Sequence, residues 1–423
     1  MTRFFSRFRN EDWMATLIGL ALTVLILALP SFVPRFPASL ATPGAWVALG
    51  GMFLLTLAGS MLGLIPLGIA VRRFVVAFVA VFALAALAQT VSAWNPVKTL
   101  GLESVFFSVL FGLLIRNTVG LPRWLEPAAR SEYYIKIGLV LLGTSVLFGE
   151  IMKAGFFGIA QSVIVVFSVW YFTFWLASRM KLDKEMGVML ASAVSICGVS
   201  AAIATCGVIK GDSKKLSYII SLVLVCAVPM MYVMPWLAKL VLPALLGDPK
   251  VVEEVAGAWM GGTIDTTGAV VASGALLGET AEQTAVIVKS SQNVLLGLAA
   301  FVISLYWSYR GREGQEKPSA GVIWDRFPKF VVGFVAVSLL FSLFFDGGAG
   351  TPDAVVRGTA KNFSNTLFSI AFVCIGLETR FSEIFSKENR NALWAFLSAQ
   401  TFNIVVTFIV AFLLFGVLKP MWA

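Results

Sequence analysis

Asp265 and Lys289 are ionisable residues set in stretches otherwise apolar enough to lie in a bilayer. A charged side chain at the bilayer centre costs about 2.5–3.5 kcal/mol on insertion scales, so either residue is a functional-site candidate by default. Asp265 stands in Gly262-Thr263-Ile264-Asp265-Thr266-Thr267-Gly268, where the hydroxyls of Thr263, Thr266 and Thr267 can coordinate a cation or hydrogen-bond an anion. An acid in that setting suits a residue that takes up and releases a proton or holds Na⁺. The plainer reading makes Asp265 the cap of a half-helix, although a cap at that depth already implies a broken helix. Lys289 can pair with Asp265, face an anionic solute, or snorkel to an interface. Gln292 and Asn293, three and four residues on, share its helix face, so one polar stripe lining a cavity accounts for all three. A second polar, glycine-bearing stretch holds Ser195, Cys197, Gly198 and Ser200. A half-helix starting there would present free N–H groups and a positive dipole end to an anion. Close packing of small residues between helices is the alternative.

Both stretches need elements that hold them inside a membrane. Lipid cannot satisfy a loosened backbone, so such breaks persist only where protein or a water-filled cavity does so. Paired interrupted helices near the midplane are where secondary transporters bind substrate and coupling ions. The composition agrees: of 423 residues 58% are hydrophobic and 13% charged, against roughly 25% charged in a soluble domain. Mean hydropathy is +0.88. Apolar runs long enough to cross a ~30 Å hydrocarbon core fall at 13–33, 45–70, 74–94, 99–116, 132–150, 155–178, 216–238, 284–307, 328–345, 359–377 and 391–417. The interrupted segments are 185–208 and 252–277. The first apolar run is longer than a signal-peptide core, so it reads as a retained span despite small residues around 38–41.

The net charge of +9 reports topology, not nucleic acid. With a cytoplasmic N-terminus, the inside loops collect Arg3, Arg7 and Arg9; Arg72 and Arg73; Arg116, Arg123 and Arg130; Arg179, Lys181 and Lys184; Arg310, Arg312, Lys317, Arg326 and Lys329; and Arg380, Lys387 and Arg390. The outside loops keep scattered single charges such as Arg35, Lys98, Lys153 and Arg357. Re-entry of both interrupted segments would put Lys210, Lys214 and Lys215 inside and the acidic stretch with Asp248, Glu253 and Glu254 outside, as the rule prefers. Full crossing would exchange those two loops. The C-terminus is outside either way, and the count is 11 or 13 crossings. A repeat is hinted at by Ile137-Gly138-Leu139 through Glu150-Ile151 and Ile370-Ala371-Phe372 through Glu383-Ile384 at equal spacing. Glu103, Lys136, Lys361 and Glu378, near span ends, read as snorkelling or loop-facing.

No histidine is present, and the cysteines at 197, 206, 226 and 374 have no metal spacing. A Ser-His-Asp arrangement is therefore impossible, and H-E-x-x-H, G-x-S-x-G and Walker A motifs are missing. The expectation is a chain that is not an enzyme and carries no cofactor, with H⁺ or Na⁺ as coupling ion.

At these same residues the chain resembles the bacterial YeiH family, named for sulfate export. The likeness runs from about 112 to 411, on Gly112-Leu113-Leu114-Ile115-Arg116-Asn117, Ile137 to Gly143, Ser195-Ile196-Cys197-Gly198-Val199-Ser200-Ala201, 263–274, Lys289 with its polar turn, and Ile375-Gly376-Leu377. It implies the inverted-repeat architecture of the cation:proton antiporter and bile-acid symporter superfamily, usually dimeric, with crossed discontinuous helices. Residues 1–100 would be additional N-terminal helices and 101–423 the transporter core, in one membrane domain. The chain departs from that family where His and an acid become Asp265-Thr266, and where Ala269, Ser145 and Gln292 replace a glutamine and two arginines. The lost basic groups weaken a divalent anion as cargo, and the shifted acid points to altered ion coupling.

These readings give an all-α polytopic membrane protein of the inner membrane, an inverted-repeat transporter fold with two interrupted helices and about 11–13 segments. Its expected partners are a small-molecule anion, the lipid bilayer and a second copy in a homodimer. A cation:proton antiporter is the first alternative; a channel or a non-transporting sensor is the second.

Overall fold

The computed structural model describes residues 10–37, 42–94, 104–145, 148–309, 327–345, 352–380 and 390–422, with Leu40, Val97 and Trp324. Arg3, Arg7, Arg9, residues 38, 39 and 41, Lys98, Glu103, Arg310, Arg312, Lys317, Arg326, Glu383, Ile384 and Lys387 lie outside the described residues. Among those described, the regular elements are helices without a strand. They are α1 (Glu11–Ala28), α2 (Pro43–Leu64), α3 (Val71–Ala93), α4 (Ser104–Thr118), α5 (Ser131–Leu142), α6 (Phe148–Arg179), α7 (Lys184–Ser192), α8 (Val199–Ile209), α9 (Ser213–Leu245), α10 (Pro249–Thr263), α11 (Thr267–Ala275), α12 (Glu279–Tyr309), α13 (Lys329–Phe344), α14 (Pro352–Glu378) and α15 (Arg390–Ala411).

Eight of these, α1, α2, α3, α6, α9, α12, α14 and α15, are long and apolar enough to cross a membrane by length and composition. The protein is an all-α polytopic membrane protein. Apolar α4 and α13 are shorter, at 15 and 16 residues, which gives about 22–24 Å of helix. In a bilayer every backbone polar group needs an internal partner, and the helix alone supplies that within one segment.

The chain forms two compact units, each made of separate stretches of sequence: residues 1–151 with 328–379, and residues 152–327 with 380–423. In the first unit α14 packs against α3, α4 and α5, and α1 packs against α2, α5 and α13. Its polar residues pair locally. Lys136 meets Asp12 at 3.0 Å and Arg130 meets Glu11 at 2.7 Å. Glu378 accepts from the Ser131 backbone N–H at 3.0 Å and from its hydroxyl at 2.6 Å, capping α5. Lys136 and Glu378 are thus held by partners in this unit, where the sequence suggested snorkelling or loop-facing groups.

The second unit holds both interrupted segments, each a helical hairpin. Hairpin 1 runs through α7 and a wide π turn, Ala193–Cys197, to Gly198, then back through α8. Lys215, just beyond α8, pairs with Asp183 at 2.9 Å and Glu185 at 3.3 Å at the start of α7. The segment therefore leaves where it entered. Hairpin 2 runs through α10, breaks at 264–266, and returns through α11. Gly257 and Gly261 of α10 lie against the carbonyls of Ala281 and Ala285 of α12, so those helices run parallel. On α11, Thr267 faces Asn293 while Gly274 lies against Glu282, so α11 runs antiparallel to the same helix. Helix α9 starts at the mouth of hairpin 1, passes its tip at Val223, and ends where α10 begins. The hairpins enter from opposite ends of the unit and meet at their tips. Arm length decides this: α8 and α11, with 11 and nine residues, cover about 16 and 14 Å, half a ~30 Å core. The re-entry favoured by the loop charges is the geometry found, and the crossed helices implied by the resemblance are not.

Candidate functional site

The site lies where the two tips touch. Gly198 has φ +57° and ψ −107°, a conformation L side chains rarely adopt. A Cβ there would stand 2.6 Å from Val223 Cγ1 and 3.2 Å from the Asp265 Cβ. Only glycine allows both the turn and the approach of Asp265.

Breaking two helices at one place frees carbonyls at the ends of the π turn and of α10. Two long helices supply the donors, each through a polar pair spaced i, i+3. From α12, the Lys289 ammonium donates to Ile196 O at 2.7 Å, Ile264 O at 2.8 Å and Gln292 Oε1 at 2.9 Å. Gln292 Nε2 donates to Ser195 O at 2.8 Å and Gly262 O at 3.3 Å. From α15, Gln400 Nε2 donates to Thr263 O at 2.9 Å. Asn403 Nδ2 donates to Val194 O and Thr263 O, both at 3.2 Å. Lys289, Gln292 and Asn403 each bridge the two tips, tying them into one junction.

Asp265 is 1% exposed, and neither carboxylate oxygen has a hydrogen-bond partner. Lys289 and Gln400 are the groups close enough to act on its charge. It is not the helix cap: that role belongs to Thr266, whose hydroxyl accepts from Ala269 N at 3.3 Å. Thr263 Oγ1, Asn293 Oδ1 and Gln400 Oε1 are likewise buried without partners. A buried polar group left unsatisfied costs about 1–3 kcal/mol, more when charged. A buried acid kept in that condition at the meeting of the two tips is suited to take up a proton or a cation.

The sequence-derived candidates fall into several roles. Asp265, Thr263 and Thr266 stand at the tip of hairpin 2, and Thr267 begins its return arm, 3.5 Å from Asn293 Nδ2. Cys197 and Gly198 form the tip of hairpin 1, and Ser200 sits half-buried in the first turn of α8. The Ser195 hydroxyl is turned to its own helix, donating to Ala191 O at 2.7 Å. Lys289, Gln292 and Asn293 are 1%, 1% and 5% exposed and packed on the tips. They hold the junction, where the sequence suggested a stripe lining a cavity. Lys289 is not snorkelling, since all three of its donors have acceptors here. Gln400 and Asn403 were missed. Their signal was a second i, i+3 polar pair, with Thr407 one turn on, inside the otherwise apolar 391–417 run.

A family model described as "Conserved hypothetical protein 698" matches residues 76–395. The chain belongs to this family. It is 38% identical over 385 residues to the UPF0324 membrane protein RB9488 of Rhodopirellula baltica, covering 89% of this chain and 69% of that protein. A UPF0324 membrane protein of Nitratidesulfovibrio vulgaris is 38% identical over 399 residues, covering 91% of this chain and 66% of the relative. A second from that organism is 37% identical, with 85% and 62% covered. The chain thus spans about two thirds of the length of these relatives. Among solved structures, the sodium proton antiporter MjNhaP1 from Methanocaldococcus jannaschii at pH 8 matches at a TM-score of 0.22 and 13% identity, covering 78% of this chain and 99% of that one. At that score the likeness carries no argument.

Proposed function

We propose that this chain is an ion-coupled secondary transporter for a small anionic solute, in which Asp265 takes up and releases the coupling H⁺ or Na⁺. The observation that carries the reading is the pair of unpartnered carboxylate oxygens on a 1%-exposed aspartate where two re-entrant tips meet. A structural acid would be paired or capping; a coupling acid must keep its charge open to an ion. The half-helix N-termini at Val199 and Thr267 support an anionic solute, because their first N–H groups have no intrahelical acceptor. The sulfate-exporter resemblance adds sulfate, sulfite and sulfonates as cargo to try. The proposal includes export across a bacterial inner membrane by a homodimer, a carrier and not an enzyme, with the N-terminus cytoplasmic and the C-terminus periplasmic. Hairpins entering from opposite ends support an inverted repeat.

A cation:proton antiporter is the second reading, favoured by Lys289 acting on Asp265 from the same junction. Uptake into proteoliposomes under imposed H⁺ and Na⁺ gradients, wild type beside Asp265→Asn, separates these readings. Saturable anion uptake that loses its gradient dependence in the variant is the expected result. Unchanged coupling in Asp265→Asn overturns the role of Asp265. Dissipation of the H⁺ gradient on adding Na⁺, with no anion moved, favours antiport.

A further inference from the structure

At the mouth of hairpin 1, where α6 and α12 end and α7 and α9 begin, the second unit leaves a cavity of about 480 Å³ among the described residues. That volume falls in the range of about 300–1,000 Å³ typical of small-ligand sites. Part of the lining is aromatic: Phe174 of α6 with Tyr306 and Trp307 of α12, the last two with ring centroids 6.3 Å apart. The rest is ionic: Asp183 and Glu185, which the Lys215 ammonium joins at 2.9 and 3.3 Å, and Lys184 between them in the chain. The apolar spans of α6 and α12 run out here, at Arg179 and Trp307, so the cavity lies at the depth of lipid headgroups. Tryptophan and tyrosine at a span end ordinarily form an interface belt. A belt does not require them to share a cavity with two carboxylates and two ammonium groups.

We propose that this cavity is a binding site for the headgroup of a zwitterionic phospholipid, an alkylammonium joined to a phosphodiester as in phosphatidylethanolamine. The site is separate from the tip junction and does not depend on ion coupling at Asp265. Its lining carries two carboxylates and two ammonium groups, so it suits a ligand of both signs better than either ion alone. The faces of tryptophan and tyrosine attract a cation within about 6 Å of the ring. Tyr306 is 43% exposed, and the Asp183 side chain 46% exposed, so both offer a face to an entering ammonium. Lys184, also exposed, supplies the compact positive charge that pairs with a phosphate. The bilayer presents both groups of such a headgroup at this depth.

Titration of the detergent-solubilised full chain with short-chain phosphatidylethanolamine and phosphatidylglycerol, of identical acyl chains, tests the site. Phosphatidylethanolamine should bind tighter by about threefold or more, because its ammonium meets the aromatic faces and phosphatidylglycerol has none. Attraction by the lysine-rich end alone, which also holds Lys210 and Lys214, predicts the reverse order, with the anionic lipid tighter. Tyr306→Leu keeps an apolar side chain but loses the π face, and should weaken phosphatidylethanolamine binding by about threefold or more. Lys184→Gln removes the phosphate partner and should weaken it by a similar factor. Lys250→Gln, an exposed lysine at the mouth of hairpin 2, should bind as wild type does. Equal affinities for the two lipids, the reverse order, or wild-type affinity in either cavity variant overturns the proposal. So does an equal loss in Lys250→Gln. If Tyr306→Leu does not fold, the lipid order and Lys184→Gln decide by the same criteria. Free phosphoethanolamine that matches the lipid's affinity would assign the cavity to a soluble zwitterion and overturn the lipid source.

Discussion

Gly198→Ala puts the tip-to-tip junction under direct strain. Holding φ +57° and ψ −107° costs a residue with a Cβ about 1–3 kcal/mol. The new Cβ would also stand 2.6 Å from Val223 Cγ1, and forcing a carbon into a packed interior costs about 1–3 kcal/mol. One cost is torsional and the other steric, so they add to about 2–6 kcal/mol. At about 2–4 °C per kcal/mol for a unit of 150–250 residues, the lower bound is a fall in Tm of about 4–8 °C. Thermal unfolding of the detergent-solubilised protein measures it. Val223→Ala separates the two parts, because it removes the clashing methyls and leaves the torsion. In a double-mutant cycle the pair should show a favourable coupling of about 1–3 kcal/mol and still fall short of Val223→Ala alone by the torsional cost. A wild-type Tm for Gly198→Ala, or a double variant as stable as Val223→Ala, would refute the reasoning.

Two further changes probe the supports of the junction. Lys289→Met leaves Ile196 O, Ile264 O and Gln292 Oε1 without their donor; at about 1–3 kcal/mol per unsatisfied group, destabilisation of at least about 3 kcal/mol is expected, and an unchanged Tm would contradict the clamp. At the mouth of hairpin 1, burial pushes the Asp183 carboxyl up, but the Lys215 ammonium and the Met186 backbone N–H outweigh it and hold the acid below its ordinary value. A depressed acid stabilises the fold at neutral pH and loses that contribution as pH falls through its folded value. Asp183 is 46% exposed, so the pair contributes only about 0–1 kcal/mol; Lys215→Ala should lower Tm slightly at about pH 7 and not at about pH 2–3, and an equal effect at both would rule out the ion pair.

Much of the helical framework was legible in the sequence because membrane spans obey a local rule of length and hydropathy. The expected run 74–94 became Val71–Ala93, and 391–417 became Arg390–Ala411 with its π-helical continuation Phe412–Leu418. The two breaks were visible as well, since glycine, serine and an acid have little reason to interrupt an apolar stretch otherwise. What stayed hidden were partners distant in sequence. Glu378 reads as a span-end acid until it is seen capping Ser131, 247 residues earlier. Gln400 and Asn403 read as isolated polar residues until Thr263, 137 and 140 residues away, is brought against them.

The sequence by itself determined a helical membrane protein, the places where two helices must break, and Asp265 as an acid too costly to sit there without purpose. Only the tertiary structure decided that the broken segments turn back from opposite ends, that their tips meet at Gly198 and Asp265, and that Thr266, not Asp265, caps the return arm. The reason is physical. Hydropathy is a property of each segment against lipid, whereas the direction of a hairpin and the partner of a freed carbonyl depend on which helices pack beside it. Parallel packing of α10 on α12, and the donors that α12 and α15 bring to both tips, exist only once the chain has folded.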